Sequence, residues 1–301
     1  MTRPPVPDHP TPPADPPGAR DFVLTLACPD RVGIVRAVSG FLADRDCNIV
    51  DSQQFSARDT ARFFLRTRFT VRHPEATLEA LQVGFAPIGA AYGMQWQLYE
   101  AAARGRVLVM VSKLSHCLND LLYRYRIGAL PGDIVAVVSN HPDCETFTAP
   151  YQIPYHLLPV TRETRAQQEA RIMDLVHEYQ ADLVVLARYM QILSDDLCQK
   201  LAGRAINIHH SFLPSFKGGK PYHQAYQHGV KLIGATAHYV TADLDEGPII
   251  EQEVARVDHA HTVDQLVAVG RDTESLVLAR AVTWHLEHRV IPNGNKTVVF
   301  R

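Results

Sequence analysis

The second half of this 301-residue chain contains a series of nearly continuous apolar runs, each of strand length. They span residues 107–111, 133–138, 181–187 and 205–208, and helical segments such as 118–125 and 164–179 lie between them. Strands that are apolar on both faces and alternate with helices predict an open, mostly parallel, Rossmann-like α/β sheet covered on both sides. In such sheets, ligands bind beyond the carboxyl ends of the strands.

The first hundred residues follow a different pattern. Strand-like runs at 22–26, 47–50, 62–69 and 94–98 are interrupted by helical spacing at 32–42 and 78–88. This βαββαβ order predicts a small ferredoxin-like unit, in which Asp30 is placed to cap the first helix. We therefore expect a proline-rich disordered tail over residues 1–19, a small domain over 20–98, a linker over 99–106 and a second domain over 107–301.

Composition and charge exclude several classes of function. The formal net charge is −2, so no basic excess indicates binding to nucleic acid or to an anionic membrane. No secretory signal or long apolar run stands out, and the five cysteines are scattered without a C-x-x-C pair. We therefore expect no disulfide framework, and we expect a cytoplasmic location.

Polar residues with chemical potential follow the run at 205–208. Strand alternation places Asn207 and His209 on the same side, and His210 on the opposite one. Further along, Asp245 lies in an acidic loop that ends in Gly-Pro. An amide and a protonated imidazole can donate to a developing oxyanion, while a carboxylate can accept a proton from water or stabilise the imidazolium. Together they could carry out acyl chemistry without a protein nucleophile.

The residue pattern alone leaves two other interpretations open, a purely structural role and a metal site. His209 and Asn207 could satisfy loop carbonyls, with Asp245 closing a turn. A metal site is the other alternative, because five histidines lie near one another in the sequence. No ligand spacing typical of a metal site appears among them, so we expect no metal. The histidines are His209, His210, His223, His228 and His238.

The combined motifs resemble the folate-dependent formyltransferase family over roughly residues 107–285. They are Asn207-Ile208-His209, Ser211-x-Leu213-Pro214-Ser215-Phe216-Lys217-Gly218, His238-x-Val240 and Asp243-x-Asp245-x-Gly247-Pro248-Ile249-Ile250, and Asp245 follows His209 by 36 positions. The resemblance implies that Asn207, His209 and Asp245 form the catalytic trio. It also implies a folate pocket with backbone hydrogen bonds to the pterin, walled by Arg188, Met190, Gln191, Ile192, Leu193, Val240, Asp243 and Leu244.

One departure from that family concerns the acceptor of the formyl group. Members that formylate glycinamide ribonucleotide bind its phosphate at a G-x-G-S-N turn after their first strand. Here the turn reads Ser112-Lys113-Leu114-Ser115-His116, without either glycine. This difference favours water as the acceptor. We expect hydrolysis of 10-formyltetrahydrofolate, with the folate as substrate, no cofactor, and formate released for purine biosynthesis.

The first unit resembles the amino-acid-binding ACT domain, on the stretch Cys28-Pro29-Asp30-Arg31-Val32-Gly33-Ile34-Val35 followed by Asn48-Ile49-Val50. An ACT domain fused to a formyltransferase-like domain resembles the formyltetrahydrofolate deformylase family. The resemblance implies a homo-oligomer with an effector such as glycine or methionine. Alternatively, the unit serves only in assembly. The implied effector residues are Asp30, Arg31, Val32, Gly33 and Asn48.

Three functional hypotheses follow from the sequence. The first is the hydrolase, the second a formyltransferase to an amine such as glycinamide ribonucleotide, and the third a non-enzymatic amino-acid sensor. Intact Asn207, His209 and Asp245 argue against the third. The basic loop 217–220 is solvated by default, although it could contact the acidic tail of a folate.

Overall fold

A computed structural model describes residues 18–73, 77–213 and 221–301. The chain divides into two compact units, Met1–Ala103 and Arg104–Arg301. Nearly all of the expected proline-rich tail, the basic loop 217–220 and the motif residues 214–218 lie outside the described residues. None of the described helices is long and apolar enough to span a lipid bilayer.

The first unit has the predicted βαββαβ order. Its four strands form an antiparallel sheet in the order β2-β3-β1-β4. Phe41 and Phe85, one from each helix, meet edge to face with ring centroids 5.1 Å apart and help to bury the inner side of the sheet. The elements are β1 (Arg20–Pro29), α1 (Ile34–Ala43), β2 (Cys47–Ala57), β3 (Arg62–Val71), α2 (Leu78–Tyr92) and β4 (Gln95–Glu100).

The start of α1 differs from the prediction that Asp30 caps it. The N-cap residue is Gly33, whose φ of 98° lies in the left-handed region and whose carbonyl accepts from the Tyr92 hydroxyl. Asp30 instead accepts a hydrogen bond from Ser56. Because the helix begins only after Gly33, Val32 lies outside it and is 99% exposed rather than on its apolar face.

The second unit contains a seven-stranded sheet in the order β11-β10-β9-β8-β5-β6-β7. Five strands, β9, β8, β5, β6 and β7 in sheet order, run parallel to one another. Strand β10 is antiparallel to both of its neighbours, β9 and β11. The predicted open, mostly parallel sheet is confirmed. Its elements are β5 (Gly105–Val111), α3 (His116–Arg126), β6 (Gly132–Ser139), α4 (Glu145–Thr148), β7 (Tyr155–Leu157), α5 (Arg165–Glu178), β8 (Leu183–Leu186), α6 (Asp195–Lys200), β9 (Ala205–His209), α7 (Pro221–Gln227), β10 (Leu232–Tyr239), β11 (Ile249–Arg256) and α8 (Val263–Leu286), followed by a hairpin of β12 (Val290–Asn293) and β13 (Lys296–Val299).

The segment between the two units is shorter than the linker expected over 99–106. Glu100 still belongs to β4, where it pairs with Phe22 and contacts Arg20. Gly105 already belongs to β5, where it pairs with Gly132. These strand contacts at both ends leave only residues 101–104 outside the sheets.

Strand β5 shows why the second sheet is buried on both faces. Val107 and Val109 pack into the core on one face of the sheet, while Leu108 and Met110 pack into the core on the other. All four side chains are at most 1% exposed. The long helix α8 contributes Val277 and neighbouring apolar residues to the first of these cores. The arrangement leaves polar groups such as His209 at the carboxyl end of β9, where a ligand can reach them.

Candidate active site

Strand pairing between β9 and β10 assembles the centre of the site. Asn207 lies opposite His238 in the antiparallel register, and Asn207 Nδ2 is 3.2 Å from His238 Nε2. Asp245 Oδ1 is 3.2 Å from His209 Nδ1 and 3.7 Å from His238 Nε2. The structure therefore brings the three predicted residues together and adds His238 between them.

The loop after β10 places Asp245 by folding back on the strand. Asp245 adopts a left-handed conformation with φ of 57°. Two residues later, Gly247 packs so closely on the end of β10 that a β-carbon there would overlap the Tyr239 carbonyl oxygen. Burial raises the pKa of Asp245, but its interactions with the His209 and His238 imidazoles outweigh burial and hold the pKa well below its usual range. Asp245 is therefore a carboxylate at neutral pH.

The two histidines beside Asp245 differ in their hydrogen bonding. His238 Nδ1 lies 2.9 Å from the Tyr239 carbonyl, which can only accept, so Nδ1 carries a proton. When the His238 ring is neutral, its Nε2 can then accept one hydrogen of the Asn207 side-chain amide. The second hydrogen of that amide is left for a ligand. His209 directs Nδ1 at Asp245, and its buried Nε2 has no hydrogen-bond partner among the described residues. A buried polar atom without a partner is costly unless a ligand or water satisfies it.

These residues open into a cavity of about 570 Å³, a size typical of small-molecule sites. One wall carries exposed apolar side chains, with Met190 57% and Ile192 61% exposed. Of the predicted folate residues, Asp243 does not line the cavity, since it is exposed on a loop where its carbonyl accepts from Thr241. The seven that do line it are Arg188, Met190, Gln191, Ile192, Leu193, Val240 and Leu244.

The remaining wall contains a buried charged cluster, which we call the Glu274 network: His116, Arg188, Tyr222 and Glu274. Glu274 is 1% exposed, and its carboxylate lies 2.8 Å from His116 Nε2 and 2.6 Å from the Tyr222 hydroxyl. Arg188 Nε is 3.4 Å from the same carboxylate. Burial raises the pKa of Glu274, but these neighbours outweigh it and keep the pKa below its ordinary value.

Sequence reasoning missed most of this wall. Glu274 lies in α8, and no sequence motif around it indicated a functional role. Tyr222 belongs to a motif to which no role was assigned. His116 was noted only for the absence of glycine around it. Tyr189, Thr241 and Ala242, which belong to the two stretches expected to wall the folate pocket, also line the cavity. The other cavity residues that were not predicted as site residues are Leu114, Leu186, Cys198, Ile208, His210, His223, His238, Val267 and Arg271.

The position of His210 differs from the prediction. It was expected on the opposite side from His209, yet it lines the same cavity, with its ring centroid 4.9 Å from that of His209 and 6.5 Å from that of Tyr222. Strand β9 ends at His209, so regular alternation stops there. Burial, assisted by the charges of Arg188 and His209, lowers the pKa of His210 to about 4. His210 is therefore neutral at physiological pH.

Within the described part of the chain, one group has the spacing of metal ligands. Ligand atoms of His116, Cys117 and Glu274 lie within 4.8 Å of one another. However, Arg188 already supplies a positive charge to Glu274, and burial raises the pKa of the Cys117 thiol, so a metal would have to displace both a cation and a proton. The five histidines considered in the sequence form no such group among the described residues.

The predicted effector residues lie in two places within the first unit. Asp30, Arg31, Val32 and Gly33 form the turn between β1 and α1, and Asn48 is exposed near the start of edge strand β2. The Arg31 guanidinium lies 4.3 Å from the centre of the Tyr92 ring. A groove of about 510 Å³ adjoins this turn, and only Gly33 of the five predicted residues lines it.

Comparison with known proteins gives two family matches. The Formyl transferase family matches residues 105–282, and the ACT domain family matches residues 22–83. The formyltetrahydrofolate deformylase of Corynebacterium sp. (strain P-1) is 50% identical over 279 residues, covering 93% of this chain and 98% of that protein.

Solved structures give the same picture. The crystal structure of formyltetrahydrofolate deformylase from Burkholderia mallei has a TM-score of 0.89 and 53% identity, and the match covers 94% of this chain and all of that one. Glycinamide ribonucleotide transformylase 1 from Symbiobacterium toebii has a TM-score of 0.62 and 30% identity, covering 68% of this chain and 98% of that one. The transformylase is thus the more distant of the two neighbours.

Proposed function

The chain belongs to the formyltetrahydrofolate deformylases, and on that premise we propose that it hydrolyses 10-formyltetrahydrofolate to formate and tetrahydrofolate. The observation that carries the proposal is the His209–Asp245 pair, whose buried Nε2 has no partner among the described residues. This pair lies in a cavity with an apolar wall, which suits the flat pterin ring of a folate. The folate is the substrate.

In the proposed mechanism, the formyl oxygen lies against the free amide hydrogen of Asn207 and Nε2 of His209. Both groups donate to the negative charge that develops as water attacks the formyl carbon. Asp245 fixes the orientation of His209 and stabilises its protonated form. The neighbouring His238 holds the Asn207 amide in the orientation that this donation requires.

The proton of the attacking water must reach the departing nitrogen. We assign the transfer to the Asp245 carboxylate, acting directly or through an ordered water, because both nitrogens of His209 donate at this stage, Nδ1 to Asp245 and Nε2 to the oxyanion. Water adds to the carbon, the carbon–nitrogen bond breaks, and the nitrogen of tetrahydrofolate receives the proton. The formic acid that results ionises to formate.

The first unit is proposed to bind an amino acid such as glycine or methionine, which would control how fast the formyl pool is drained. Exposed Val32, Ile49 and Val50 lie near the predicted effector residues and along edge strand β2, a suitable surface for pairing with a second copy. We accordingly expect a homo-oligomer. All five cysteines are free thiols, which fits the cytoplasmic location that we expect.

The direct assay incubates the full chain with 10-formyltetrahydrofolate, with and without glycinamide ribonucleotide. Formate release that does not depend on the ribonucleotide supports hydrolysis. Strict dependence on the amine would assign the chain to the transferases instead, and absence of reaction under both conditions would favour an amino-acid sensor. Of these alternatives, the transferase has a solved structural neighbour, but the turn at Ser112–His116 lacks the phosphate-binding glycines.

A further inference from the structure

The cavity has two chemically different walls. The apolar wall around Met190 and Ile192 suits a pterin, whereas the Glu274 network forms a polar wall that the proposed mechanism leaves without a role. His210 lines the same cavity, with its ring centroid 4.9 Å from that of His209 and 6.5 Å from that of Tyr222. It is therefore a neighbour of both the catalytic pair and the Glu274 network.

Glu274 holds its three partners in fixed positions. Each partner, His116, Arg188 and Tyr222, donates or can donate to the buried carboxylate. A buried carboxylate with several donors is stable only when all of them stay in place, so the network is a rigid unit. It lines the cavity rather than the apolar core, which is unusual for a cluster that serves folding alone.

Arg188 carries the strongest sign of a functional constraint. Its backbone has φ of 65°, a left-handed conformation that is costly for a residue with a long side chain, and the residue is only 8% exposed. Its Nε has no hydrogen-bond partner of good geometry among the described residues, although Glu274 lies 3.4 Å away. A strained backbone is typical of functional sites, and the unsatisfied buried Nε is available to a polar ligand.

The turn after β5 does not have the sequence of a phosphate-binding turn. It lacks glycine and ends at His116, whose Nε2 lies 2.8 Å from the Glu274 carboxylate. A phosphorylated amine would need accessible backbone N–H groups at that turn. Water needs only a donor and an acceptor, which Arg188 and the neutral ring of His210 can supply.

We propose that the Glu274 network, together with His210, is the acceptor side of the active site: it positions the attacking water and excludes amine nucleophiles. The inference rests on the hydrolase proposed above. In this proposal Arg188 contacts the water itself, whereas Glu274, His116 and Tyr222 are positioning residues, because they hold Arg188 in place and do not touch the folate.

The test compares Glu274→Gln with a matched control, Glu251→Gln. Glu251 is also a buried glutamate, 4% exposed, with an arginine 3.4 Å away, but it does not line the cavity. Each variant is assayed with 10-formyltetrahydrofolate alone and with hydroxylamine as a small amine probe. Formate and N-hydroxyformamide are both quantified, and the KM for the folate is measured.

The expected result for Glu274→Gln is a kcat for hydrolysis about tenfold lower or more, a KM for the folate within about twofold of wild type, and a several-fold larger share of formyl groups captured by hydroxylamine. Glu251→Gln should match wild type in all three. Tyr222→Phe removes a single hydroxyl group from the network and should also increase the share of formyl groups that hydroxylamine captures. This variant tests the proposal if Glu274→Gln does not fold.

Wild-type kcat and partition in both Glu274→Gln and Tyr222→Phe would overturn the proposal, as would a loss that appears only as weaker folate binding. Failure of the hydrolase assignment looks different, because wild-type protein would then release no formate without an amine. The two ideas can thus fail separately.

Discussion

Nδ1 of His209 and Oδ1 of Asp245 lie 3.2 Å apart, although the two residues are 36 positions apart in the chain. The contact depends on the sharp return of the loop at Gly247, where no side chain fits beside the Tyr239 carbonyl. Because Asp245 is ionised and faces Nδ1 of His209, it fixes the orientation of the catalytic imidazole.

Replacing Asp245 with asparagine should reduce turnover on the order of 10²-fold or more, since the imidazolium loses its counter-charge. Binding of the folate should persist, because Asp245 is not part of the apolar wall. Asp243→Asn is the matched control on the same loop, as Asp243 is exposed and does not line the cavity. Rate assays with a separate binding titration measure both effects, and wild-type turnover in Asp245→Asn would remove this residue from the mechanism.

The apolar wall should determine affinity for the folate rather than the chemical step. Ile192→Ala removes part of an exposed apolar side chain at the cavity and should raise KM about tenfold, with kcat nearly unchanged. Val83→Ala, at an exposed position in the first unit, serves as the control. A fall in kcat without a change in KM would show that this wall does not contact bound folate as proposed.

Two half-buried histidines should make the fold sensitive to mild acid. Burial chiefly lowers the pKa of both His210 and His285 to about 4, against about 6.5 in an unfolded chain. The unfolded state therefore binds protons first, and the free energy of unfolding should fall as the pH drops from 7 toward 4. At pH 5 the loss amounts to about 2 kcal/mol per group.

Urea unfolding at pH 7.5 and pH 5.0 measures this effect. His285→Gln should reduce the difference between the two pH values by roughly 2 kcal/mol, whereas the exposed His259→Gln should leave it unchanged. An unaltered pH dependence in His285→Gln would mean that His285 is already protonated in the folded protein or does not titrate in this range.

Effector binding can be tested by calorimetry with glycine and with methionine, alongside rate measurements. We expect one of them to bind and to change the rate, and Asn48→Ala to weaken that binding. Gly33→Val is a poor probe, because φ of 98° and the Tyr92 hydroxyl, 2.9 Å from a β-carbon at this position, make it destabilising in any case. If neither amino acid binds or alters the rate, assembly becomes the better account of residues 20–98.

The sequence predicted those features that depend on local pattern. The apolar strands around Val109 and Val185 indicated a parallel sheet, and the strand that carries Asn207 and His209 indicated where the chemistry lies. Glu274 was missed because its position in the middle of α8 looks like that of any acidic helix residue, and only the tertiary packing buries it beside Arg188. The direction of His210 was wrong because strand alternation was extended one residue past the end of β9.

The central claim is that water accepts the formyl group, and isotope labelling tests it most directly. The full chain is allowed to react with 10-formyltetrahydrofolate in H₂¹⁸O without an amine, and the formate is analysed by mass spectrometry. Unreacted substrate is recovered in parallel and must remain unlabelled. The account predicts one ¹⁸O atom in each formate released. Formate without the label, or no formate until an amine is added, would contradict it.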